Sequence, residues 1–148
     1  MMEKMPPIEK IYEAYSAIAD SRVVMGEDSA KVASSDYAKE YTVKWEGGVY
    51  SANDNATYWA SYAGYPIIAV LMLQGKLKLD RLVAELFKDI NWKKLNKKHK
   101  SKYDQAVQEV LEGLKAKGND TIAIIKSVEE VYTELESLEI SIKRMKRN

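Results

Sequence analysis

The sequence contains no cysteine, which excludes a disulfide framework, a thiolate zinc site, an iron–sulfur cluster and a cysteine nucleophile. Histidine is nearly as scarce. His99 stands alone, and its neighbours supply no partners for a metal site or a nucleophile–base pair. Long apolar runs are also missing. The most apolar stretch, Ile67 to Leu73, falls far short of the roughly 20 residues a membrane helix needs, and the N-terminal Lys and Glu interleave where a secretory signal would carry an apolar core. The expectation is a cytoplasmic protein that crosses no bilayer. Neither GxxxxGK[ST] nor GxGxxG occurs, so neither common phosphate-cradling loop is available to a nucleotide enzyme. An excess of charge is lacking too: 23 Lys and Arg face 22 Asp and Glu, a net charge of +1. Attraction to nucleic acid must therefore come from local clustering.

What is present is ordinary globular material. The 148 residues, 46% apolar and 30% charged, suit one domain able to bury a core without a metal or disulfides. Pro6 and Pro7 precede an apolar stripe at Ile8, Ile11, Tyr12, Tyr15, Ile18 and Ala19, whose spacing predicts a first helix with Glu9, Lys10 and Glu13 on its polar positions. From Arg22 the period becomes alternating. Arg22–Met25, Ala30–Ser34, Tyr41–Trp45 and Val49–Ser51 read as antiparallel strands, the last two joined by a hairpin at Gly47-Gly48. A short helix buried on all faces follows from about Pro66 to Gln74, with a central strand as the alternative because Ile67, Ile68 and Val70 are β-branched.

Beyond Leu77 the chain reads as helical. Asp80 caps a segment with Leu82, Val83, Leu86, Phe87 and Ile90 on one stripe, and Ser101 with Asp104 resembles a capping box. After Gly118-Asn119-Asp120, apolar positions from Ile124 to Met145 predict a final helix of about 26 residues, about 39 Å long, paired with its predecessor as a hairpin. The fold class is thus α+β in one domain, 1–148, with a β-meander-plus-helix part (22–76) and a helical part (78–147).

The order of elements from Arg22 to Lys76 resembles the SWIM family of small zinc-chelating domains. The residues that carry the resemblance are Ser34-Ser35-Asp36, Tyr41-Thr42-Val43, Tyr50-Ser51-Ala52-Asn53-Asp54 and Gly64-Tyr65-Pro66-Ile67-Ile68-Ala69-Val70-Leu71. Ser51, Asn53, Gly64 and Pro66 stand at the places of the family's three cysteines and histidine, and none is a zinc ligand. The resemblance implies a metal-free derivative that binds DNA or protein. The roughly 10–16 kcal/mol a structural zinc supplies would then be replaced by packing of Tyr41, Trp45, Tyr58, Trp59, Tyr62 and Tyr65.

The sharpest charge feature is the acid-free run from Trp92 to Tyr103. Lys93, Lys94, Lys97, Lys98, Lys100 and Lys102 there suit phosphate contacts, and Trp92 or Tyr103 suits stacking on an unpaired base. The bland reading is a solvated helix face or junction, with Trp92, Leu95 and Tyr103 as core anchors. A second cluster, Lys143, Arg144, Lys146 and Arg147, closes the expected last helix, where cations complement the helix dipole. An antiparallel hairpin would bring the two clusters into one patch. Asp36, Glu46 and Asp54 read as turn and capping residues.

These features point to a non-enzymatic interaction module, without cofactor or metal, that contacts nucleic acid through Lys93–Lys102. The alternative is a protein–protein or homodimeric scaffold using the aromatic surface from Tyr58 to Tyr65 or the apolar stripe of the last helix. Glu129, Glu130, Glu134, Glu136 and Glu139 along that helix oppose self-association. A pocket gathering Asp54, Glu46 and tyrosines would favour an enzyme instead.

Overall fold

A computed structural model describes residues 2–146. Along the chain run α1 (Lys10–Ala19), β1 (Val23–Met25), β2 (Ser29–Ala33), β3 (Glu40–Glu46), β4 (Val49–Ala52), α2 (Asn55–Ala60), α3 (Tyr65–Leu73), α4 (Arg81–Glu85), α5 (Trp92–Lys98), α6 (Tyr103–Ala116), α7 (Thr121–Ser137) and β5 (Ser141–Arg144). The class is α+β, with one N-terminal helix, then strands, then mainly helices.

The strands form a five-stranded sheet in the order β1-β2-β3-β4-β5. The β3–β4 hairpin turns where it was expected. Gly47 and Gly48 both take positive φ, +54° and +79°, the pairing a two-residue turn of this hand requires and that side chains resist. Alternation along β2 puts Ala30 and Val32 into the core and Lys31 into solvent, so the buried face is fixed by register.

Helix α3 lies against this face and against α1, and Pro66 through Met72 are all buried. A segment covered on every side gains nothing from a polar stripe, which is why its sequence has none. Pro66 sits in the first turn, where its missing N–H is no loss. Tyr50 in β4 then ties sheet to helix, its hydroxyl donating to Gln74 Oε1 at 2.6 Å.

Three expectations for the C-terminal half need correction. The last helix is not 26 residues long: α7 stops at Ser137, and residues 141–144 return to the sheet as β5, parallel to β4 with Tyr50 opposite Ile142. The 3–4 spacing of Leu135, Leu138, Ile142 and Met145 fits a helix, but Ile140 and Ile142 also alternate with Ser141 and Lys143 as a strand does. The unpaired β4 edge decides between the two, because its backbone groups need partners. Ser141 N donates to Gly48 O (3.0 Å) and Met145 N to Ala52 O (2.8 Å). The helical part, 78–147, therefore contributes a strand to the 22–76 part.

The capping box at Ser101 is also absent. Ser101 has φ +64°, and α6 starts behind Lys102 without a side-chain cap bond. Asp80 does cap α4, accepting from Leu82 N and Val83 N, but Leu82 is 85% exposed and so is not part of an inward stripe. Among the described residues, no helix is long and apolar enough to cross a membrane.

Candidate functional site

The lysine run begins on a structural anchor. Trp92 is 2% exposed, and its Nε1 donates to Ser16 Oγ at 2.7 Å while that hydroxyl donates to Phe87 O. This corrects the expectation that Trp92 stacks on a base: its ring packs in the core beneath α5. Asn91 caps the helix by accepting from Lys94 N at 3.0 Å.

The anchored α5 sorts its lysines by face. Lys93 and Lys97, four residues apart and so on one side, line a cavity of about 580 Å³ with Asn96 between them. Lys98 turns to α6, where Glu109 accepts from it at 2.7 Å and also meets His99 Nε2 at 3.1 Å. Those two contacts hold the Glu109 carboxyl below its usual range. Lys94, Lys100 and Lys102 are exposed and line neither this cavity nor the one beside it. The linear run therefore supplies two cavity lysines rather than six.

Opposite α5 the cavity is walled by Lys39, Tyr41 and Trp59, and its deeper part holds Lys10, Glu13 and Asp54. Lys10 and Glu13, expected on the polar side of α1, are both buried and pair at 3.2 Å. The Lys10 ammonium also sits over the Tyr103 ring, 4.0 Å from its centroid, a cation–π contact strengthened by loss of water. Burial alone would lower the Lys10 pKa, but Glu13 and Tyr103 outweigh it and the pKa is raised. Burial likewise pushes Glu13 and Asp54 up, against the pull of Lys10 on both. Two carboxylates and one ammonium away from water thus hold protons more tightly than they would in solvent.

A second cavity, of about 600 Å³, adjoins the first and shares Lys39, Tyr41 and Asn55 with it. It adds Lys31 from β2, Lys44 from β3 and Lys146 from beyond β5, against the single carboxylate of Glu40. Lys31 Nζ donates to Thr42 Oγ1 across the sheet at 2.6 Å. Members of the two basic clusters of the sequence line adjoining cavities, and no helical hairpin brings them there. Lys146 is carried there by β5, Arg144 lies over the Tyr58 ring 5.3 Å from its centroid, and Arg147 lies outside the described residues. Trp59 is 72% exposed at the mouth of the first cavity, which corrects its expected place in the packing.

Asp36 sets the charge at one rim. Its carboxylate accepts from Ser34 Oγ (2.7 Å) and Ala38 N (3.0 Å) and pairs with Lys93 at 3.3 Å. The Ser34 hydroxyl, with those other contacts, holds its pKa at about 2, so the group stays charged throughout the neutral range. Asp36→Asn removes this counter-charge from Lys93. It should raise affinity for an anionic ligand by up to about fivefold, the scale of an exposed ion pair, as read by fluorescence anisotropy; unchanged or weaker binding would show that Lys93 does not serve the cavity.

A family model described as "Uncharacterised conserved protein UCP014422" matches residues 3–141. The chain belongs to that family. No curated protein and no solved structure matches it. The family match takes in every residue lining the first cavity, and it ends at the first residue of β5, short of Lys146.

In this family member, sequence reading marked the lysine run that α5 carries but neither placed a separate helix there nor saw most of what faces it. Lys31, Lys39 and Lys44 are isolated in sequence and meet only because β2 and β3 pair, with Lys31 opposite Thr42. The i,i+3 spacing of Lys10 and Glu13 was visible, though nothing in α1 marked that pair as buried. Glu46 lines neither cavity, so the constellation that would favour an enzyme assembles only in its Asp54 and tyrosine members. Among the described residues, no group of three or more His, Asp or Glu is placed to hold a metal ion.

Proposed function

We propose that the chain is a non-enzymatic, cytoplasmic module that binds single-stranded nucleic acid along the groove formed by the two adjoining cavities. The observation that carries this reading is their shared wall of Lys39, Tyr41 and Asn55. Around it, lysines from β2, β3, α5 and the C-terminal segment border two adjoining concavities. Phosphates laid along such a groove release counterions, and the exposed Trp59, together with Tyr41, offers π-faces to unstacked bases. A concave groove with aromatic walls suits a flexible strand better than a duplex, whose major groove calls for a protruding helix or ribbon.

Residues 22–76 are read in the same proposal as a SWIM-type unit in which backbone roles have replaced the ligands. Asn53 Oδ1 accepts from Thr42 N at 2.9 Å, Gly64 holds the N-cap position just before α3, and Pro66 occupies its first turn. The aromatic surface around Trp59 also supports the protein-partner alternative, which differs in being insensitive to salt.

The test is a titration of the isotope-labelled full chain with an oligonucleotide of about 12 nucleotides, a length within the usual range for single-strand sites. Amide shifts are expected to concentrate at Lys39, Tyr41, Asn55, Asn96 and Lys97. Shifts confined to α7, which lines neither cavity, or no shifts at all, would overturn the groove assignment.

A further inference from the structure

The second cavity gathers cations with almost no rings. Lys31, Lys39, Lys44 and Lys146 border it against the single carboxylate of Glu40, and of the aromatic residues only Tyr41, on the wall shared with the first cavity, reaches it. Among the described residues none of these four lysines is in an ion pair. The first cavity differs in kind. There Lys10 is paired with Glu13 and Lys93 with Asp36, and Tyr41, Trp59, Tyr62 and Tyr103 all contribute to the lining.

Sheet register explains the contrast. Lys31 stands opposite Thr42, and Lys44 opposite Ser51, which is in turn opposite Lys143. Paired residues share a face, as do residues two apart on one strand, so these residues stand together on the face turned away from the buried Ala30, Val32 and Val43. Tyr41, Trp45 and Tyr50 alternate onto the other face. Three strands thereby place lysines on a sheet surface that offers phosphates partners and offers bases nothing to stack on. Lys31 Nζ is directed across this surface by its bond to Thr42 Oγ1 at 2.6 Å, which uses one of its three N–H donors.

Charge and shape together select the ligand. An internal phosphodiester brings one negative charge and has a nucleoside on either side, at least one of which this surface would leave unstacked. A phosphate monoester at the end of a strand brings a charge of about −1.5 to −2 near pH 7 and has a nucleoside on one side only. That nucleoside can cross the shared wall of Lys39, Tyr41 and Asn55 into the aromatic first cavity. We propose that the second cavity seats the terminal phosphate of the bound strand, with Lys31 and Lys44 as its principal partners. The ligand is then a phosphorylated strand end, and entry from the second cavity into the first fixes the direction in which the strand runs.

This inference rests on the single-strand reading above, and the experiment separates the two. Anisotropy titrations of the full chain at low salt use one internally labelled sequence of about 12 nucleotides, prepared with a 5′-phosphate, with a 3′-phosphate, or with hydroxyls at both ends. One of the two phosphorylated forms is expected to bind about fivefold tighter than the unphosphorylated strand, the scale of one additional exposed ion pair. The other should gain little, because the strand enters in one direction. In the Lys31→Gln, Lys44→Gln variant the gain should vanish. In the Lys93→Gln, Lys97→Gln variant all three forms should weaken alike and the gain should persist. All four side chains are exposed, so both variants should fold. Equal affinity of the three forms, equal gain at both ends, or a gain that the two variants keep or lose alike overturns the terminal-phosphate seat and leaves groove binding standing. Failure of every form to bind overturns both.

Discussion

Replacing Lys39, Lys93, Lys97 and Lys146 together by glutamate should weaken binding of a single-stranded oligonucleotide by on the order of 10²- to 10³-fold at low salt. These residues are far apart in sequence but all are exposed and all border the paired cavities. Each reversal exchanges an attraction to phosphate for a repulsion, and the four act on one groove. The stability cost should be small, because exposed substitutions away from caps and ion pairs usually change stability little; only Lys93 among the four has an ion-pair partner, Asp36, among the described residues. The matched control reverses Lys94, Lys100 and Lys102, which belong to the same run but line neither cavity. Because those side chains line neither cavity, they act on a strand in the groove only as exposed charges through solvent, and this control should lose less than about fivefold. If both variants lose affinity equally, the linear lysine run rather than the groove is the contact surface.

Trp92→Ala should destabilise the protein by about 3–5 kcal/mol, the usual cost of truncating a large buried aromatic, measured as a lower urea midpoint. The ring is among the largest fully buried side chains, and its N–H bond to Ser16 joins α5 to α1. Trp92→Phe keeps most of the apolar contact and loses that bond. Since Ser16 Oγ still donates to Phe87 O, the loss should be nearer the roughly 1 kcal/mol of a single hydrogen bond. A Trp92→Ala cost below about 1 kcal/mol would mean that α5 is held by something else, since core truncations of this size seldom cost so little. Because Trp92 begins the helix that presents Lys93 and Lys97, the alanine variant should also bind more weakly under conditions where it remains folded.

Both predictions bear on what the sequence made legible. Local signals worked where local chemistry decides. The Gly47-Gly48 turn, the all-apolar α3 and the Asp80 cap each follow from the residues that form them. They failed where a distant edge decides: the stretch from Ile140 to Met145 satisfies helical and strand periods alike, and only β4 determines which forms. The binding surface was legible to the extent that one element carries it. Lys93 and Lys97 lie on the α5 that the charge run marked, whereas Lys31, Lys39, Lys44 and Lys146 reach the groove through strand pairing. Trp92 takes the core-anchor alternative and Trp59 stands exposed instead of packed, for a similar reason. Tryptophan is at home in a core or at an interface, and its surroundings in the fold, rather than its neighbours in sequence, place each one.

The most direct test of the groove is the salt dependence of single-strand affinity in the wild type and in the Lys39, Lys93, Lys97 and Lys146 variant. Each phosphate contact adds about 0.7 to the slope of log affinity against log salt concentration for a single strand. The wild-type slope should therefore be steeper than that of the variant by about 3, the sum over four lysines. Equal slopes for the two proteins, or wild-type binding indifferent to salt, would contradict the account.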